Sequence, residues 1–147
     1  MCTIHFGGEQ AEFLTLTVHG RSSPDASDYW DGNWLSCTAV VSAGAFHGTL
    51  DSLLRNEDLA RFLHRLEGLT EGLSGEAVFD TLDGWLDLRL IGDGRGHVEV
   101  RGQLVDAPAC GNSLEFRLCL DQTYLPPLVS QLPAALDLFP VIGQQGT

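Results

Sequence analysis

The chain has 147 residues and a formal net charge of −12, from 20 acidic and 8 basic side chains, the basic ones all arginine. Its size fits one domain over residues 1–147, and 44% hydrophobic with 19% charged residues is a globular composition rather than a disordered one. No run nears the ~18 apolar residues of a membrane helix, no basic-then-apolar leader opens the chain, and the acidic balance disfavours nucleic acid and anionic membranes, which are bound through cations.

Residues 1–10, with Gly7-Gly8, read as a frayed or edge segment. From Ala11 to His19, Leu14, Leu16 and Val18 alternate with Phe13, Thr15 and Thr17, which predicts a half-buried strand. Gly20 to Asp28 is a polar loop. It delivers Asp28-Tyr-Trp-Asp31-Gly-Asn33-Trp34-Leu35, and Trp34 to Ser42 follows as a second strand whose partial alternation suits a central position covered on both faces. Ala43-Gly44 turns the chain into a third strand over Ala45 to Leu50. Residues 56–73 read as a helix, with Asn56 as N-cap, Glu57 and Asp58 in the first turn, an apolar stripe of Leu59, Phe62, Leu63, Leu66 and Leu69, and Gly75 as the stop. Strands follow at 76–81, 85–91, 97–105 and 113–120, separated by Asp83-Gly84, by Asp93-Gly-Arg-Gly96 and by a longer loop containing Pro108. Leu86, Leu88 and Leu90 form one core face, with Trp85 on the other. Tyr124 to Phe139 reads as a closing helix, with Pro133 predicting a kink or break and residues 143–147 a loose tail. The order β-β-β-α-β-β-β-β-α predicts an α+β fold: a mainly antiparallel curved sheet or half-barrel of about seven strands, covered by two helices.

Each cluster that could carry chemistry has a plain structural reading beside it. Asp25, Asp28 and Asp31 could offer oxygens to a hard cation, but their spacing is not that of a calcium loop, and Asx-type turn bonding accounts for Asp28 and Asp31. Trp30 is a candidate partner anchor; Trp34 is expected in the core. Asp87 and Glu99 could pair across the sheet as acid and base, yet Arg89, Arg101 and Arg117 recur at the same period, as in ordinary cross-strand ion pairing. Cys2, Cys37, Cys110 and Cys119 form no CxxC pair; Cys37 and Cys119 read as small buried hydrophobes. The histidines have no ligand spacing. No catalytic residue, cofactor site or metal site is assigned, and a cytoplasmic location is expected.

Two pieces together resemble a known family. Asp28-Tyr-Trp-Asp31-Gly-Asn33-Trp34-Leu35 leads into a strand, and Leu114-Glu-Phe116-Arg-Leu-Cys-Leu-Asp121-Gln-Thr-Tyr-Leu125 runs on to Phe139-Pro140. This layout is similar to that of the WapI-type immunity proteins of bacteria and related small bacterial families, and it spans most of the chain as an order of elements. The resemblance implies a non-enzymatic antidote that binds a toxin domain, with no active-site residues to carry over. An acidic inhibitor suits a basic toxin domain by charge. Asp28, Trp30 and Asp31 are the partner-contacting positions expected from the loop itself. The competing readings are a small-ligand-binding β-barrel with a pocket under the sheet, an enzyme using Asp87 or Glu99, and a homodimer through the second strand's edge or the Trp30 patch.

Overall fold

The computed structural model describes residues 1–8, 12–107 and 109–145. The expected strand onset at Ala11, Pro108 of the long loop and the last two residues of the tail lie outside these. The strands are β1 (Cys2–Gly7), β2 (Phe13–Arg21), β3 (Trp34–Ala43), β4 (Phe46–Arg55), β5 (Ser74–Asp80), β6 (Leu86–Asp93), β7 (His97–Val105) and β8 (Ser113–Asp121). The helices are a single turn α1 (Tyr29–Gly32), α2 (Asn56–Gly72) and α3 (Leu125–Leu138), the last entered through a 3-10 turn at Gln122–Tyr124.

The α+β class holds, but the single curved sheet of seven strands does not. The described residues form two four-stranded antiparallel sheets, ordered β1-β2-β3-β4 and β5-β6-β7-β8. Each is a meander, and α2 separates them in sequence. The strands on either side of α2 do not pair, so the sheet that strand-by-strand reading joins into one is split there. Both sheets and the two long helices contribute to one hydrophobic cluster, which includes Leu14, Leu16, Val18, Leu35, Phe62, Leu66, Phe79, Leu88, Leu118 and Leu128. Alternation was a sound guide wherever one face is buried: Leu14, Leu16 and Val18 of β2, and Leu86, Leu88 and Leu90 of β6, are fully enclosed.

Several local expectations are corrected. Of the two readings for the first residues, frayed or edge, the edge one holds: β1 is the edge strand of its sheet, pairing with β2 from Cys2↔Val18 to Gly7↔Phe13, and Ile4 and Phe6 are wholly buried. On β3, Leu35, Cys37, Ala39 and Val41 are buried, whereas Ser36, Thr38 and Val40 between them are only half-buried and Ser42 is buried. β4 runs five residues past Leu50, pairing Trp34↔Arg55 at its end. Trp85 is not on the outer face; it precedes β6, is buried, and donates its indole N–H to Leu53 O at 2.6 Å, tying the second sheet to β4. Asn56 is not the cap of α2 but its first residue. The cap is Arg55, whose backbone N–H is accepted by Asp58 Oδ2 at 2.9 Å. The helix stops at Leu73 in a left-handed conformation (φ 58°), before Gly75, because Ser74 must already pair with Asp93. Pro133 lies inside α3, which continues through it unbroken. Cys37 is buried as expected, and burial pushes its thiol up to about 12, but Cys119 is exposed on β8. All four thiols are free.

Gly102 shows how closely β7 and β8 pack. A Cβ there would lie 2.2 Å from the ring of Phe116, its partner across the ladder, so the absent side chain leaves room for the aromatic ring.

Candidate functional site

The Asp28–Leu35 stretch folds as a capped turn feeding β3. Asp28 is extended and its Oδ2 accepts the Asp31 N–H at 3.1 Å, which is the N-cap bond of α1. At the end of the turn, Gly32 lets Ile142 pack closely: a Cβ there would meet Ile142 Cδ1 at 2.5 Å, and the end of that side chain would have to shift. Tyr29 turns inward, while Trp30, packed edge-on against it at 5.1 Å and 82°, remains 52% exposed. Asp25, Asp28 and Asp31 are exposed.

What fixes this turn is Arg55, which sequence reasoning did not single out. It is nearly fully buried at the end of β4. Its guanidinium donates to Trp30 O at 2.8 Å, to Tyr29 O at 2.9 Å and to Glu57 Oε1 at 3.1 Å. The same group lies 5.0 Å from the Tyr29 ring centroid and 5.1 Å from those of Trp30 and Trp34. A planar cation with a fork of donors can satisfy carbonyls in its plane and aromatic rings above and below it; lysine cannot. Glu57 also accepts the Tyr29 hydroxyl, and this bond to a carboxylate raises the phenol pKa. Trp34 is therefore not a core residue: it is half-buried and faces Arg55.

A second set of bonds ties the turn to the end of the chain. Asn33, fully buried, donates to Tyr29 O and Ile142 O, both at 2.8 Å, and its Oδ1 accepts the Ile142 N–H at 2.9 Å and Asn56 Nδ2 at 3.1 Å. Asn56 Nδ2 also donates to Phe139 O at 3.0 Å. Arg21 donates to Gly32 O at 2.6 Å and Pro140 O at 2.5 Å. The chain is thus held as far as Ile142, just before the tail of residues 143–147. Asn33 could have been suspected from its place between a capped turn and a strand; neither Asn56, read as a helix cap, nor Arg21 gave a sign of these bonds.

The remaining candidates are not brought together. Asp87 lies opposite Gln103 and Glu99 opposite Ile91 and Cys119, so they do not face each other. Instead Arg89, Arg101 and Arg117 stand directly opposite one another across β6, β7 and β8. Asp93 and Asp121 have lowered pKa values, Asp93 through the Arg95 N–H and Asp121 through the Thr123 hydroxyl and N–H. Among the described residues, no group of three or more His, Cys, Asp or Glu is placed to hold a metal ion, and no helix is long and apolar enough to cross a membrane.

The sequence model of the immunity protein WapI-like family matches residues 5–140. No curated protein matches the chain.

Proposed function

The chain belongs to the immunity protein WapI-like family, and from that membership we propose that it binds a toxin domain and blocks it, without chemistry of its own. The surface is the α1 turn, with Trp30 as anchor and Asp28 and Asp31 beside it. The observation that carries this reading is the bracing of Trp30. An aromatic ring that is half in solvent, yet held by Arg55 and Tyr29, gives up little freedom on binding, and such rings dominate interface energies. The flanking carboxylates and the charge of −12 favour a basic partner, speeding encounter and fixing orientation.

The test is co-expression of the C-terminal domain encoded by the adjacent upstream reading frame, with and without this protein, scored by cell survival. Rescue is expected, and loss of rescue in the triple change of Asp28, Trp30 and Asp31 to alanine, with the variant still folded. Rescue that survives the triple change moves the surface elsewhere. A harmless neighbour, or one that is not rescued, overturns the antidote reading.

A further inference from the structure

Each sheet ends in two outer strands, and an outer strand offers a row of backbone N–H and C=O groups to any strand that can pair with it. Three of these edges are blunted. On β1 the His5 N–H donates to Gln131 Oε1 of α3 at 2.9 Å. On β5 the carbonyls of Val78 and Asp80 accept Arg65 and Arg61 of α2, at 3.0 and 3.1 Å. On β8 the exposed charges of Glu115, Arg117 and Asp121 line the strand, and charged side chains keep foreign strands off an edge. β4 differs. From Phe46 to Leu50 it has no carboxylate and no arginine, and among the described residues no loop or helix is bonded to its outward backbone there. β3, the candidate dimer edge in the sequence, lies between β2 and β4 and has no free edge.

The pairing with β3 fixes which groups of β4 point outward. Ala43 and Phe46 close a two-residue turn at Gly44 (φ 61°), so Phe46, Gly48, Leu50 and Ser52 exchange backbone bonds with β3, and His47, Thr49, Asp51 and Leu53 face away from it. Leu53 agrees with this phase, since its carbonyl accepts the Trp85 indole from beyond the edge.

A second copy of the same strand fits this edge. Laid antiparallel about a two-fold axis at Thr49, the outward residues meet one another. Thr49 faces its own copy, and His47 faces Asp51 of the partner copy, twice by symmetry. These pairs exchange about six backbone bonds. Thr38 takes only Oδ1 of Asp51, at 2.5 Å, which leaves Oδ2 for the imidazole N–H. On the other face Gly48 stands opposite the partner's Leu50, so no side chain obstructs the leucine, and Phe46, 67% exposed, reaches it diagonally. Sliding the partner by two residues in either direction breaks both His–Asp pairs, so a single register keeps them. A charge of −12 on each copy opposes association in general, but Asp51 is the sole carboxylate of β4 and here it faces an imidazole.

We propose that the protein forms a two-fold dimer through the β4 edge, joining its four-stranded first sheet to that of a second copy, with His47 and Asp51 setting the register. The α1 turns lie at the Arg55 ends of the strands, outside the paired stretch, and stay open.

Sedimentation velocity on the full chain, across a concentration series, reads the result. The wild type is expected to be a dimer. Thr49→Lys sets two ammonium groups face to face on the axis and is expected to give a monomer. His47→Asp sets carboxylate against carboxylate, and Asp51→Lys a cation against an imidazole. Each is expected to weaken the dimer about tenfold, and the two together, which again place opposite charges across the edge, to restore it. All three side chains are exposed, and circular dichroism checks that each variant folds. Trp30→Ala is expected to leave the dimer intact. The proposal is overturned by a monomeric wild type, which would leave the edge to a strand of another protein. It is equally overturned by a dimer that survives Thr49→Lys, by a double change that does not restore association, or by loss of the dimer in Trp30→Ala. None of these readings involves a toxin, so they are separate from rescue.

Discussion

Replacing Arg55 by alanine takes away two carbonyl partners, a carboxylate partner and the cation facing three aromatic rings. A loss of about 3 kcal/mol is expected, read as a lower urea midpoint, because the polar groups left behind remain largely buried. Trp30→Ala is expected to change stability by less than about 1 kcal/mol, since that ring is half in solvent. The contrast separates the residue that builds the turn from the residue proposed to touch a partner. A second outcome at this scale concerns pH. Asp121 is held below its ordinary value of 3.8, chiefly by the Thr123 hydroxyl, so its folded form prefers the charged state more than the unfolded chain does. Its contribution is complete above the unfolded value and is lost as pH falls through the lower folded one. Asp121→Asn is therefore expected to melt below the wild type at neutral pH and to converge with it well below pH 3.8, checked by thermal melts across an acid series.

At the scale of elements, the β7–β8 pair depends on a vacant position. Gly102→Ala would drive a methyl group into the Phe116 ring and is expected to cost about 2 kcal/mol. Adding Phe116→Leu should recover part of that, which a double-mutant cycle in urea measures. Elements of this kind were legible in the sequence to different degrees. β2, β6, β7 and β8 bury one face only, so their alternation was plain, and α2 carried an unbroken apolar stripe. β1 was hidden by its glycines and brevity, and it is a strand because β2 offers it a full ladder. The division into two sheets was not readable, since periodicity identifies strands without saying which ones pair. At the α1 turn, Asp28, Trp30 and Asp31 could be picked out by type. Arg55 could not: a charge at the end of a strand ordinarily lies in water, and only the register opposite Trp34 places it under the aromatic rings.

For the whole molecule, the two sheets share one interior, and the Trp85 indole bonded to β4 joins them. Unfolding is expected to be a single transition, with tryptophan fluorescence and far-ultraviolet circular dichroism coinciding along a urea titration; separate midpoints would mean that the sheets come apart independently. The acidity that keeps such a molecule dispersed also sets how it meets a partner. If the α1 turn engages a basic domain, the association rate should fall as salt screens the field. The amide of Asn33 adds a consequence in time. Its partner Ile142 lies 109 residues further along the chain and is made later. A contact that distant must wait for the intervening residues to emerge and close a large loop, which is slow compared with hairpin formation. The turn carrying Trp30 is thus made well before it is completed, and a nascent chain cannot present it in its locked form to anything until the residues through Ile142 have been made.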